Sequence, residues 1–462
     1  MSLPDTAQAL AAAFGRGEIS PLDAVHDCLA RIAAWEPKLN AMYRVDRDGA
    51  IEQARASQAR WRSHAPLSPL DGVPITIKEN IYTRGDPAPL GTAANEDLPP
   101  QKDDAPSAAR VREAGCVILG KTTMPDYGML SSGVSSLHGV TRNPWMLTRN
   151  PSGSSSGAGA AAAAGYAPLH LGTDIGGSVR LPATHCGIFA LKPSLGRVPV
   201  YPPYMGRVVG PMTRSVGDAA LLMKIIARPD ARDFMSLPPA EIDVERAPGK
   251  LKIGFLPDMG VGLAVDPEVR AAAEAAAGAL ANAGCTVESI RSFLSAEMLD
   301  GMCRFFEARL HNDLAQLPPA RRAKVLPFVA QWCSYRAAEF SGRDVMQAYT
   351  LVMAMREAAV AAVEPYDFVL SPVSPILAYE ADLAAPGSDP RDALPHIAFT
   401  VPWNMSEQPA ASVNWTWSTE GLPIGIQLIG KRFDDAGVLG LARLVEKIRP
   451  KQKRWPAAPA AA

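Results

Sequence analysis

Apolar positions in this chain switch between a spacing of about 3.6 and one of 2, and the switches mark out its elements. Ser20-Pro21-Leu22-Asp23 has the form of a helix start: a hydroxyl cap, proline at the first position and an acid at the third. Leu22, Val25, Leu29 and Ile32 follow at helical spacing, which predicts an amphipathic helix over 20–35; a second helix is predicted over 47–63. The pattern then changes. LDGVPITIKENIY (70–82) is rich in β-branched residues and reads as a strand. APSAARVREAGCVILG (105–120) reads as helix, glycine turn and strand, and AAAAAGYAPLHLGTD (160–174) as a small-residue helix followed by a strand. Further strands are predicted at 251–257 and 366–375, and a helix capped by Asp266 over 266–284. SVNWTW (412–417), the turn STEG and LPIGIQLIG (422–430) form a hairpin, and a closing helix covers 434–448. This alternation predicts an α/β fold with a long mixed sheet.

The Pro- and charge-rich stretch 229–250 is the best internal boundary, although strands lie on both sides and it need only cross the surface of one fold. Segment 296–360 reads as amphipathic helix, and no repeat is visible. Composition adds exclusions. Among 462 residues, 47% are apolar and the net charge is −1, so no global field favours nucleic acid or an anionic membrane. The tail 449–462 is locally basic, and its Pro/Ala end is expected to fray. Six scattered cysteines (Cys28, Cys116, Cys186, Cys285, Cys303, Cys333) fit reduced thiols rather than a disulfide frame or a zinc site. The N-terminus lacks the form of a signal peptide and no run of about 18 apolar residues occurs, so a cytoplasmic protein without membrane or metal is expected.

The stretch RNPSGSSSGAGAAAAAG (149–165) has the composition of a flexible linker, yet strand and turn chemistry flanks it on both sides. Neither a phosphate-cradling G-x-x-x-x-G-K-[ST] nor a dinucleotide G-x-G-x-x-G with its acidic partner is present. A third reading joins three segments: Lys78 in GVPITIKEN, Ser154 in PSGSSSGAG and Ser178 in GTDIGGSVRLPA. Desolvation of Lys78 in an apolar strand would lower its pKa toward that of a usable base. Gly176 and Gly177 let successive amides converge ahead of Ser178, a concavity suited to an oxyanion.

These blocks resemble the amidase signature family of serine amidohydrolases. DGVPITIKEN (71–80), SGSSSG (152–157) and GTDIGGSVRLPA (172–183) match its lysine, glycine/serine and nucleophile segments in the same order. KTTMPDYG (121–128), GPMTRSVGDAALLM (210–223), FTVPWNMSEQPAASV (399–413) and GLPIGIQLIG (421–430) also look like the family, and the likeness is weakest over 229–400. The resemblance implies a single amidase signature domain over 1–462. Its core blocks lie at about 65–225 and 399–448, a variable, substrate-shaping helical region at 229–398 and a flexible tail at 449–462. The implied fold is a large, mixed, mostly parallel twisted sheet with helices on both faces.

It implies a Ser–Ser–Lys triad: Ser178 as nucleophile, Ser154 (after a cis peptide) as proton relay and neutral Lys78 as base. The amides of Ile175, Gly176, Gly177 and Ser178 would form the oxyanion hole. Tyr127, Gly128 and Met129 fall where the family lines its acyl pocket, and Ser155 joins them as a candidate contact. No cofactor is implied. The chain departs from the family with Ser152 and Ser156 where glycines are usual, and with His170 and His185 at positions more often small and aromatic.

Bland roles compete for several residues. Asp174 beside a glycine turn is expected to orient the loop rather than act as a triad acid. His138, His170 and His185 lack the G-x-S-x-G elbow of a Ser-His-Asp hydrolase. Cys186 reads as a buried small hydrophobe. Trp403, Trp415 and Trp417 belong to the core or, if two face the site, to an aryl-substrate pocket. The expected function is hydrolysis of a small apolar or aryl carboxamide, with a small-molecule amide as partner and a homodimer as the assembly considered. The alternatives are the glutaminase (A) subunit of a tRNA-dependent amidotransferase and a cyclic-amide hydrolase of the nylon-oligomer type. A catalytically dead binding protein is disfavoured by the intact triad.

Overall fold

A computed structural model describes residues 3–242 and 250–458. The middle of the expected boundary segment, 243–249, lies outside the described residues, as does the end of the tail, 459–462.

Among the described residues thirteen strands occur in chain order: β1 (Met42–Val45), β2 (Pro74–Lys78), β3 (Val117–Thr122), β4 (Val134–Ser135), β5 (Gly139–Val140), β6 (Leu169–Asp174), β7 (Phe189–Lys192), β8 (Val208–Thr213), β9 (Lys252–Phe255), β10 (Thr286–Ser289), β11 (Phe368–Pro372), β12 (Ala410–Trp417) and β13 (Pro423–Gly430). β4 and β5 make a small ribbon. The other eleven join one sheet in the order β1-β3-β2-β6-β8-β7-β12-β13-β11-β9-β10. Strands before and after 229–250 therefore share a single sheet. Pairing is parallel among β3, β2 and β6 and again among β11, β9 and β10. From β6 through β13 to β11 it is antiparallel, as are β1 and β3.

The large mixed sheet with helices on both faces matches the expectation. Neighbouring residues on a strand point to opposite faces, and the core divides accordingly. Leu370, Ala411 and Leu428 pack with the helices Ala7–Gly15, Val216–Ile226, Pro267–Asn282 and Asp435–Ile448, whereas Val369, Ala410 and Ile429 pack with the helices Ala296–Ala315, Pro327–Ser334 and Gly342–Val363.

Local chemistry explains several boundaries. Ser20 and Asp23 form a reciprocal capping box, and the helix Pro21–Leu39 runs past its expected end until Asn40, in the left-handed region at φ 52°, stops it. Asp266 caps the helix Pro267–Asn282 by accepting from Glu268 N–H. The expected strand 70–82 shrinks to Pro74–Lys78 because Gly72, at φ 84°, turns the chain before it. The expected hairpin is present as β12 and β13, with Trp417 opposite Pro423. The tail differs from its expectation over 449–458. Trp455 packs 5.8 Å from Trp145 and beneath Arg214, and Gln452 donates to the Trp415 carbonyl.

The stretch 149–165 is no linker. The helix Ser156–Ala164 is buried on every side. A Cβ on Gly157 would fall 2.3 Å from the Ala41 carbonyl, and one on Gly159 would fall 2.9 Å from Pro182. Small residues here let the helix lie directly under β3 and the turn that carries Ser178.

Candidate active site

Lys78 ends β2, a strand buried along its whole length. Its Nζ lies 2.9 Å from Ser154 Oγ and 2.9 Å from Thr173 Oγ1, and Asn80 Nδ2 donates to the same threonine hydroxyl at 3.1 Å. Burial drives the Lys78 ammonium well below its ordinary pKa, and the nearby Arg207 charge pushes the same way. Among the described residues no carboxylate forms an ion pair with Lys78; Asp174 and Glu79 act on it only through space, and in the opposite direction to burial. Ser154 follows a cis peptide after Gly153. A side chain on Gly153 would meet the Ser132 backbone at 2.5 Å.

Ser178 lies on the turn between β6 and the short helix Arg180–Cys186, and its carbonyl accepts from Ser155 N–H at 3.1 Å. This turn is held from behind. Asp174 accepts from the amides of Gly177 (2.8 Å) and Val179 (3.1 Å), from Arg180 and from Asn404. Burial opposes that carboxylate, but the Arg180 guanidinium and these donors hold its pKa well below the usual range. Arg180, itself fully buried, also donates to the Thr400 carbonyl, Gln427 and Asn404. Asp174 is thus the loop-orienting residue that the sequence suggested.

Ser154 and Ser178 open into one cleft of about 110 Å³, which is also lined by Tyr127, Gly128, Met129, Thr173 and Ile175. A narrow apolar slot adjoins it, lined by Leu130, Gly176, Phe306, Leu394 and Ile397, and Ser178 faces both. Of the four amides implied for an oxyanion hole, that of Gly177 is already spent on Asp174; those of Ile175, Gly176 and Ser178 make no such bond among the described residues. Ser155 does not line the cleft. Its hydroxyl donates to the Thr173 carbonyl and accepts from the Thr173 amide, so it fixes β6 instead of meeting substrate.

The glycine-to-serine departures also resolve. Ser152 occupies the left-handed region at φ 64°, where glycine is the easier residue, and its hydroxyl donates to the Ser131 carbonyl. Ser156 begins the buried helix with its hydroxyl unpartnered.

The competing candidates sit elsewhere. His138 pairs with buried Glu79 at 2.6 Å, His170 bonds Thr76 and the Ala167 carbonyl, and His185 contacts the Ile376 carbonyl. Cys186 is buried, with its thiol pushed up by desolvation. Trp403 is fully buried and donates to the Phe399 carbonyl, Trp415 is in the core, and Trp417 meets Trp145 edge-to-face. None of the three lines the cleft, so they give no support to an aryl pocket. Among the described residues no group of three His, Cys, Asp or Glu could hold a metal ion, and no helix is long and apolar enough to cross a membrane.

Thr173, Asn80, Arg207 and Arg309 also face this region, and sequence reasoning did not single them out. The first two lie inside the GTD and KEN blocks; the last two carry no sequence signal beyond being basic.

The chain is similar to known proteins along nearly its whole length. The Amidase family model matches residues 23–439. The A subunit of glutamyl-tRNA(Gln) amidotransferase from Symbiobacterium thermophilum is 35% identical over 96% of both chains, and that from Myxococcus xanthus is 34% identical over 97% of this chain and 98% of that one. Among solved structures, a bacterial aryl acylamidase superposes with TM-score 0.87 at 27% identity, covering 96% of each chain. A 6-aminohexanoate cyclic dimer hydrolase with its substrate gives 0.86 at 29% identity, covering 98% of each. The chain belongs to the amidase signature family.

Proposed function

We propose that this protein hydrolyses the C–N bond of a small amide through an acyl-enzyme on Ser178. The observation that carries the reading is the 2.9 Å approach of a buried Lys78 amine to Ser154 Oγ at the edge of the cleft that Ser178 enters. A serine hydroxyl is a weak nucleophile and needs a base. Neutral Lys78 takes the proton of Ser154 as Ser154 takes that of Ser178, and Ser178 Oγ bonds to the amide carbon. The amides of Ile175, Gly176 and Ser178 meet the oxygen as it becomes negative. The relay then runs in reverse, Ser154 protonates the departing nitrogen and the C–N bond breaks. Water enters by the same route and frees the acid. The apolar slot beside Ser178 supports an apolar acyl group as substrate.

The second reading is glutamine hydrolysis as the A subunit of a tRNA-dependent amidotransferase. The 34–35% identity to such subunits along the whole chain favours it over an aryl amide. It would bring a protein partner with it.

Release of ammonia or amine is measured from phenylacetamide, benzamide, glutamine and a cyclic amide, alone and with a candidate partner subunit. Ser178→Ala is expected to lower kcat by about a millionfold and Lys78→Ala by about 10²- to 10⁴-fold on whichever amide is cleaved. Turnover of glutamine alone among these selects the second reading. Activity that survives Ser178→Ala removes both.

A further inference from the structure

The two chambers that meet at Ser178 differ in charge. Arg207 and Arg309 line the cleft, whereas the adjoining slot is walled by Met129, Leu130, Phe306, Leu394 and Ile397. Neither arginine forms an ion pair among the described residues. Arg207 reaches only the carbonyls of Pro202, at 3.4 Å, and Asn80, at 3.3 Å. The Arg309 guanidinium carbon lies over the Tyr204 ring, 3.8 Å from its centroid. Burial, followed by the charge of Arg309, lowers the Arg207 guanidinium to about 10. Asp313 also lines the cleft one helical turn after Arg309, but it is exposed at the rim. Of the carboxylates lining the cleft, Asp174 is already held by Arg180 and Asp313 feels the Arg309 charge from the rim without an ion pair, so the two half-buried guanidiniums keep donors free for a further anion.

The relay says which half of the substrate fills it. Ser154 must hand its proton to the departing nitrogen, so the leaving amine lies on the Ser154 side of Ser178. Ser154 lines the charged cleft and is not part of the apolar slot. Resting on the function proposed above, we infer that the substrate is an N-acylated amino carboxylate, its apolar acyl group in the slot and its leaving amine carrying a carboxylate held by Arg207 and Arg309. Ser178 Oγ bonds to the acyl carbon, the C–N bond breaks, and the nitrogen leaves with the proton that Ser178 lost. Water then cleaves the ester, giving a free acid and a free amino carboxylate.

The test compares N-phenylacetylglycine with N-(2-hydroxyethyl)phenylacetamide, which replaces the carboxylate by a neutral hydroxyl, reading released phenylacetate for both. The wild-type protein is expected to prefer the carboxylate by about 10- to 100-fold in kcat/KM. That preference shrinks as salt is added, collapses toward one in Arg309→Gln and is partly restored in Arg309→Lys. Calorimetry on Ser178→Ala should show the same preference in binding. A wild-type ratio near one, or a ratio unmoved by Arg309→Gln, overturns the inference while Ser178-dependent cleavage of the neutral amide leaves the proposed function standing. Glutamine as the best substrate, with an Arg309-dependent KM, places the carboxylate on the acyl side and overturns it too. If no amide is cleaved through Ser178, both readings fall.

Discussion

Gly176 and Gly177 are adjacent in sequence and unequal in structure. Gly177 sits at φ 133°, and a Cβ there would fall 2.5 Å from Thr400 Oγ1. Gly176 has an ordinary backbone, and its Cβ would come no closer than 3.4 Å to Ile397. Gly177→Ala is therefore expected to cost about 2–4 kcal/mol, from backbone strain and overpacking together. Gly176→Ala should stay within about 1 kcal/mol of wild type. Urea titration of the two variants checks the contrast, and equal losses would mean that the turn is softer than its contacts suggest. The same scale shows how legible the site was. Lys78, Ser154 and Ser178 each stand in a dense block of small and β-branched residues, and such blocks are readable as units. Arg207 and Arg309 stand alone before a strand and within a helix, where an arginine ordinarily faces solvent. Only the fold turns them toward one cavity.

Lys192 on β7 makes the element-scale point. It is fully buried, donates only to the Pro193 carbonyl at 2.9 Å, and is pushed down to about 7 by burial and by Arg180. Lys121 on β3 is also lowered to about 7. A lysine depressed in the folded state but ordinary in the unfolded chain leaves the unfolded chain holding more protons between those two values. Raising pH from about 7 to 8.5 should therefore stabilise the protein. Lys192→Met should flatten part of that slope, as thermal melts across the window would show; an unchanged slope would mean that Lys192 is not neutral in the fold. Strand legibility varied for related reasons. β2 and the β12–β13 hairpin carry β-branched runs and a polar turn. β8, VVGPMT, places Gly210 and Pro211 in the middle of the sheet and reads as a turn, while β10 is four residues long and mostly exposed.

The turn that carries Ser178 depends on the whole molecule. Lys78, Ser154 and Ser178 lie in the first 178 residues, but the groups that satisfy Arg180 and Asp174 behind the turn are Thr400, Asn404 and Gln427. Arg180→Met removes the charge that holds Asp174 and leaves a buried carboxylate with too few partners. The expected cost is about 3–5 kcal/mol, with activity lost in proportion to folding, measured by denaturant melts beside hydrolysis rates. The distant support of this turn also sets a schedule for synthesis. A ribosome that has made 400 residues has made every reacting group, yet Asn404, β12 and β13 have still to emerge. Prematurely terminated products of that length should be inert toward amides, and a separately made 401–462 polypeptide added to them should restore hydrolysis. On this expectation hydrolysis begins only once the last two strands of the chain have joined the sheet.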